Sequence, residues 1–385
     1  MTRQRSEDGI ELMVVVGTRP EIIKTAPVIR AIQSMDGVQP YLVHTNQHYD
    51  HELSDVFFDT LGLPQPDTKL HVESGSHAEQ TAAGLTDIER LLEQRDTEVV
   101  LAQGDTNAVF STALAASKLP VAFAHVEAGL RSGDRSMPEE INRVVADHVA
   151  DYRFAPTEES VANLTAEGIA DGVYVTGNTI VDACLEHQPI AEEASDVLRE
   201  MDLRSDGYAV ATIHRPQNTD DLERLHRVLV SLDRQKFPVI LPAHPRTAAR
   251  IRDLEFEPGN ALRISAPLDY LNFLKLLGNA RVAVTDSGGI QEEASILEIP
   301  CLTVRPNTER PETTDAGVNE LIEPEDIETD LSTVYVDDEI HDSMKGHPNL
   351  YGDGTAGKRI VDILLDQLTS TVEKRAMAHP KADYA

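Results

Sequence analysis

Two kinds of segment alternate along the chain. Short, nearly continuous apolar runs are separated by longer stretches in which apolar positions recur every three or four residues. The short runs read as buried strands. In the first half they are LMVVV (12–16), YLVH (41–44), EVVLAQ (98–103), VAFAHV (121–126), DYRFAP (151–156) and GVYVTG (172–177). In the second half they are YAVATIH (208–214), PVILPAH (238–244), LRISA (262–266), RVAVTD (281–286) and CLTVR (301–305). Strands that are apolar on both faces and separated by helices belong to parallel sheets covered on either side. The fold class predicted is therefore α/β, with two parallel-sheet domains of similar size. A polar, acidic and largely helical stretch at 186–207 puts the connection between them at about 180–205 and predicts a cleft there. The final helical pattern, GKRIVDILLDQLTS, follows a YGDG turn and is expected to pack back on the first domain. The boundaries expected are 1–180 plus 364–385 for the first domain and 181–363 for the second.

Length supports that division, since 385 residues suffice for two domains that each bury a core. The apolar share is 41%, and no run approaches the roughly 18 residues a membrane helix needs. The first residues also lack the apolar centre of a signal peptide, so the expectation is a soluble, cytoplasmic protein without a membrane partner. Cys184 and Cys301 are the only cysteines, which excludes a disulfide framework and a paired-cysteine metal site. The net charge of -32 is spread along the whole chain. Nucleic acid is thereby excluded as a partner, because a polyanion binds clustered Lys and Arg. The charge reads instead as a solvation device for a salt-rich cytoplasm, where screening removes most self-repulsion.

Ligands of open parallel sheets sit at the carboxyl ends of the strands, so the residues just after each strand carry the candidate chemistry. VVVGTRPEIIKTAPVIR lacks the glycine repeat of dinucleotide folds and has Arg19 and Lys24 in its place. Thr18 and Glu21 are spaced as a capping box, and both cations can reach an anion held at the positive helix end. A solvated helix start would account for them as well. AQGDTNA places Asp105 behind a glycine, and HVEAGLRSGD places Glu127 before another. The following SMPEEINRV adds Glu139, Glu140 and Arg143. Any one carboxylate in so acidic a chain reads as a surface charge; their collection at strand ends does not. His214 and Arg215 follow a strand of the second half, where they suit a phosphate or a departing group. In VAVTDSGGIQEEA, Ser287, Gly288 and Gly289 leave backbone N–H groups uncovered at a helix start, which suits a diphosphate, and Glu293 one turn later suits ribose hydroxyls. Arg305 and Arg310 follow in a proline-bounded loop. His44, His48 and His51 span strand, loop and helix, so one face would not present all three to a metal.

Taken together, GTRPEIIKTAPVI, GDTNAV, HVEAGLRSGD, PEEINR, TIHRPQN, PLDYLNFL, TDSGGIQEEA, ERPE and YGDG resemble the non-hydrolysing UDP-N-acetylglucosamine 2-epimerases, in order and over nearly the whole chain. The resemblance implies two Rossmann-like parallel-sheet domains facing a central cleft, a GT-B-like α/β fold, in a homodimer. It implies reversible conversion of UDP-GlcNAc to UDP-ManNAc through a 2-acetamidoglucal, with neither NAD nor a catalytic metal. Carried over by motif, Arg19, Lys24, Arg143, His214 and Arg310 would hold or activate the diphosphate, and Ser287, Gly288 and Gly289 would seat it. Glu293 would bind ribose, while Leu268 and Phe273 would line the uracil site. Asp105, Glu127 and Glu139, with His214, would be the catalytic groups. Members activated by a second UDP-GlcNAc carry glutamines around a QH segment, whereas here Gln47 and His48 stand beside Asp50. A glycosyltransferase of the same fold, a hydrolysing epimerase that releases ManNAc and a nucleotide-sugar sensor are the alternatives. The acid/base carboxylates speak against the first and the last.

Overall fold

The computed structural model describes residues 9–46, 58–72, 75–259, 261–347 and 350–378. Gln47, His48, Asp50 and His51 lie outside them. The chain forms two units, Met1–Ala183 with Gly352–Ala385, and Cys184–Tyr351.

In the first unit seven strands are described: β1 (Ile10–Val16), β2 (Val38–His44), β3 (Thr68–Lys69), β4 (Val99–Gln103), β5 (Ala122–Val126), β6 (Tyr152–Ala155) and β7 (Val173–Val175). All pair in parallel, in the order β3-β2-β1-β4-β5-β6-β7. Val14 stands between Leu42 and Leu101 at the centre, and Leu12 to Val16 are all buried. The strand order reverses between β1 and β4, which is where an open parallel sheet binds its ligand. The second unit repeats the plan with β8 (Ala209–Thr212), β9 (Val239–Pro242), β10 (Leu262–Ser265), β11 (Val282–Thr285), β12 (Cys301–Val304) and β13 (Asn319–Ile322), in the order β10-β9-β8-β11-β12-β13. Its reversal lies between β8 and β11.

Both sheets are thus parallel and doubly wound, as the apolar pattern predicted. The sequence reading passed over β3 and β13, and the reason is physical. β3 is only two residues long, Thr68 and Lys69, and β13 opens with Asn319 and Glu320, so neither carries a continuous apolar run.

The last helix, Ala356–Ala378, packs on the helix Arg19–Gln33 of the first unit. The buried Asp182 carboxylate accepts hydrogen bonds from the N–H groups of Ala356 and Gly357, at 3.2 and 2.8 Å. The chain accordingly re-enters the first unit at Gly352 rather than at 364. Among the described residues no helix is long and apolar enough to cross a membrane.

Candidate active site

The ends of β1, β4 and β5 in the first unit are tied together by carboxylates. Glu21, buried in the first turn of its helix, accepts from the N–H groups of Gly17 and Thr18 at 3.0 and 2.6 Å and from Thr106 Oγ1 at 2.6 Å. It thereby joins the loop after β1 to the loop after β4. Burial pushes its carboxyl up to about 7, against the lowering effect of those donors.

Glu127 follows β5 with φ +70, a left-handed conformation that costs a side-chain-bearing residue of order 1 kcal/mol. The carboxylate is buried and receives Lys24 Nζ on both oxygens, at 2.9 and 3.0 Å. Gln103 Nε2 donates to it at 3.1 Å. Gln103 is itself buried, accepts from Thr25 Oγ1 and donates to Thr179 Oγ1, so its amide has one orientation. Lys24 therefore serves a carboxylate in this structure, although the sequence suggested an anion at the helix start. Arg19 lies exposed at the first helical position and makes no ion pair among the described residues.

Asp105 pairs with Arg143, whose Nη1 also reaches Glu140 Oε2 at 3.3 Å. Glu139 and Glu140 are adjacent in sequence and opposite in fate. Glu140 is buried and accepts from the N–H groups of Ser132 and Gly133 and from Ser132 Oγ, which closes the loop onto the helix Pro138–Val149. Glu139 is exposed in the first turn of that helix.

In the second unit the corresponding centre is Asp286, at the end of β11. Its carboxylate is fully buried and accepts from the N–H groups of His214 and Arg215 and from Asn218 Nδ2. His214 Nδ1 lies 3.1 Å away, which turns Nε2 off the carboxylate. Burial opposes the charge on Asp286, yet His214 and its other donors hold it below the usual carboxylate range.

The Ser287-Gly288-Gly289 turn opens the helix Gly288–Ile296, whose first N–H groups have no intrahelical partners. A Cβ on Gly288 would stand 3.1 Å from Arg310 Nη1, so the bare glycine is what lets the guanidinium lie against the turn. A Cβ on Gly289 would meet only Ser287 Oγ at 4.0 Å, and that side of the turn is open. Arg310 is fixed by Glu292 Oε1 at 2.9 Å. Glu309 is surrounded by Arg305, Arg310 and Arg215, which hold it far below the usual range although burial works the other way. Glu293 is buried one turn into the helix, near Tyr270. Leu268 and Phe273 are partly buried and pack against the core cluster that includes Tyr208, Val210 and Leu276.

Each unit thus gathers its own predicted residues, of which Arg19 and Glu139 are exposed. Sequence reasoning missed the groups that orient them: Gln103, Asp286 and Glu309. Only burial identifies these, and among 66 acidic residues a buried one leaves no mark in sequence. Among the described residues no three His, Cys, Asp or Glu side chains form a metal-holding group.

Comparison with known proteins follows the same lines. The family profile described as UDP-N-acetylglucosamine 2-epimerase matches residues 30–365. The UDP-N-acetylglucosamine 2-epimerase of Methanocaldococcus jannaschii is 43% identical over 366 residues, spanning 92% of this chain and 99% of that protein. Its crystal structure in complex with UDP-GlcNAc and UDP superposes with a TM-score of 0.84 at 42% identity, again over 92% and 99% of the two chains. The UDP-GlcNAc 2-epimerase of Neisseria meningitidis bound to UDP-GlcNAc gives 0.85 at 32% identity, over 93% of this chain and all of that one.

Proposed function

The chain belongs to the UDP-N-acetylglucosamine 2-epimerase family, and from that premise we propose that it interconverts UDP-N-acetylglucosamine and UDP-N-acetylmannosamine without hydrolysis. The hydrogen on C2 of this sugar has no neighbouring carbonyl and is not acidic in the bound ground state. Cleavage of the C1–O bond, with its electron pair leaving on the diphosphate, places positive charge at C1 and makes the C2 proton removable. Loss of that proton leaves 2-acetamidoglucal and UDP. Protonation of the opposite face of C2 and return of the diphosphate oxygen to C1 give the epimer. One C–O and one C–H bond are broken and remade, so water, metal and redox cofactor are not consumed.

Such a reaction needs cations for the leaving group and carboxyl groups for the two faces of C2. In the second unit, the turn of Ser287, Gly288 and Gly289 with Arg310 and His214 holds the diphosphate. Glu293 binds ribose, and Leu268 and Phe273 contact uracil. In the first unit, Arg19 and Arg143 meet the departing group, and Lys24 acts on it from its place against Glu127. Asp105, Glu127 and Glu139 exchange the protons. The observation that carries this reading is Glu127: a buried carboxylate in a left-handed conformation, gripped by Lys24 and Gln103 at the end of the strand next to Asp105. A solubilising charge would need none of that. His214 supports it too, because Asp286 takes Nδ1 and leaves Nε2 for a phosphate oxygen.

Proton NMR of the protein with UDP-GlcNAc, in D2O containing molar KCl, tests the reading. UDP-ManNAc carrying deuterium at C2 is the expected product. Free ManNAc with UDP would move the chain to the hydrolysing branch, and unchanged UDP-GlcNAc would overturn the proposal. A homodimer working in a salt-rich cytoplasm completes it, and light scattering in the same buffer checks the assembly.

A further inference from the structure

A buried polar cluster lies behind the two loops that carry Asp105 and Glu127, and none of its members has been given a role so far. Asp147, on the helix Pro138–Val149, is fully buried and accepts three hydrogen bonds. They come from His125 Nδ1 at 2.6 Å, the Gly129 N–H at 3.1 Å and Arg131 Nη1 at 2.7 Å. Each donor leads somewhere different. His125 reaches through Nε2 to the carbonyl oxygen of Gly104, 2.8 Å away and immediately before Asp105. Gly129 is two residues beyond Glu127. Arg131 continues to both oxygens of Glu167, at 2.7 and 2.8 Å.

The same helix holds Asp105 at two further points. Asn142 Nδ2 donates to its carbonyl oxygen at 2.9 Å, and Arg143 pairs with its carboxylate. Glu127 is held at a positive φ that a side-chain-bearing residue seldom adopts unaided, whereas Gly104 takes its own positive φ freely. At Gly129 only glycine fits, because a Cβ there would fall 2.3 Å from the Ser160 carbonyl oxygen.

We infer that Asp147, acting through His125 and the Gly129 N–H, is the positioning residue that sets Asp105 and Glu127 relative to each other for proton transfer. The inference rests on the epimerase reading above. A carboxylate and an imidazole with no solvent exposure are a poor choice for packing alone, since well-packed apolar side chains of similar volume would serve stability as well or better. What apolar groups cannot do is fix two backbone loops in register. Misplacing a reacting group by about 1 Å costs on the order of 100-fold in rate.

The test uses the full chain carrying Asp147→Asn, with the wild type in the same assays. The asparagine keeps the volume but turns an NH2 toward groups that are themselves donors. Epimerisation kcat and the rate of deuterium entry at C2 are expected to fall by at least about tenfold, well below the unfolding midpoint. KM for UDP-GlcNAc and the Kd for UDP, by calorimetry, stay within about twofold, because the residues of the second unit that hold the diphosphate, ribose and uracil are untouched. His125→Gln cuts the path to Gly104 and leaves Gly129 and Arg131 paired, so it serves if Asp147→Asn does not fold, and the same split is expected. A folded variant whose kcat stays within twofold of wild type, even with a lower midpoint, overturns the inference by making the cluster purely structural. An inactive wild type overturns the epimerase reading and the inference with it. An active wild type beside an unimpaired variant overturns the inference alone.

Discussion

Glu21 shows how much a single buried carboxyl decides at the residue scale. Its partners Gly17, Thr18 and Thr106 are donors to the ionised form, while burial favours the neutral one, and burial wins enough to bring the group up to about 7. The native state therefore holds a proton between about 4.5, where an unfolded Glu ionises, and about 7. A raised native pKa stabilises the fold fully below the unfolded value, and that contribution is lost as pH rises through the native one. In Glu21→Gln this dependence disappears. The stability difference between wild type and Glu21→Gln should accordingly shift against the wild type by about 3 kcal/mol from pH 4.5 to 7.5, then level off. Urea unfolding of the two proteins across that range measures it, and a difference that is flat with pH would refute it. The neighbouring pair Glu139 and Glu140 teaches the complementary lesson. Both satisfy the sequence criterion of an acidic residue in the loop after β5. Only the path of residues 132–133 decides that Glu140 is buried as an anchor and Glu139 remains exposed.

At the scale of elements, the helix carrying Arg19 and Lys24 is held from behind by the last helix of the chain. Pro27 lies inside the helix Arg19–Gln33, and Gly357 meets it at the start of the other. A Cβ on Gly357 would fall 2.7 Å from the Pro27 carbonyl carbon, so glycine is required for this approach. Gly357→Ala is expected to lower stability by about 1–3 kcal/mol through overpacking. It should also loosen the amide protection of Ala356 and Gly357, whose N–H groups Asp182 accepts. Hydrogen exchange and chemical denaturation check both; an alanine variant with wild-type stability would mean that the two helices separate without cost. Elements also set the limit of what periodicity reveals. Central strands such as Leu12–Val16 are buried on both faces and stand out as apolar runs, whereas β3 and β13, at the sheet edges, do not.

For the molecule as a whole the governing quantity is the charge of -32. The Debye length falls from about 30 Å at 0.01 M salt to about 8 Å at 0.15 M and about 3 Å at 1 M. The unfolding midpoint should rise with KCl, most steeply over the first of those intervals; a midpoint that is the same in dilute buffer and molar KCl would refute the reading of the acidic surface. By itself the sequence determined the fold class, the approximate bounds of eleven strands and the loops on which the candidate residues sit, because apolar periodicity and turn residues are local properties of the chain. It also specified the family, through motifs that are local in the chain. Partnership was decided only by the tertiary structure. That Lys24 grips Glu127 across 103 positions, that Asp286 rather than a neighbouring acid orients His214, and that Asp147 reaches Gly104 through His125 depend on which strands lie side by side. A carboxylate far along the chain becomes a partner only when the sheet order brings it within about 3 Å in a place that excludes water, and no local pattern encodes that distance.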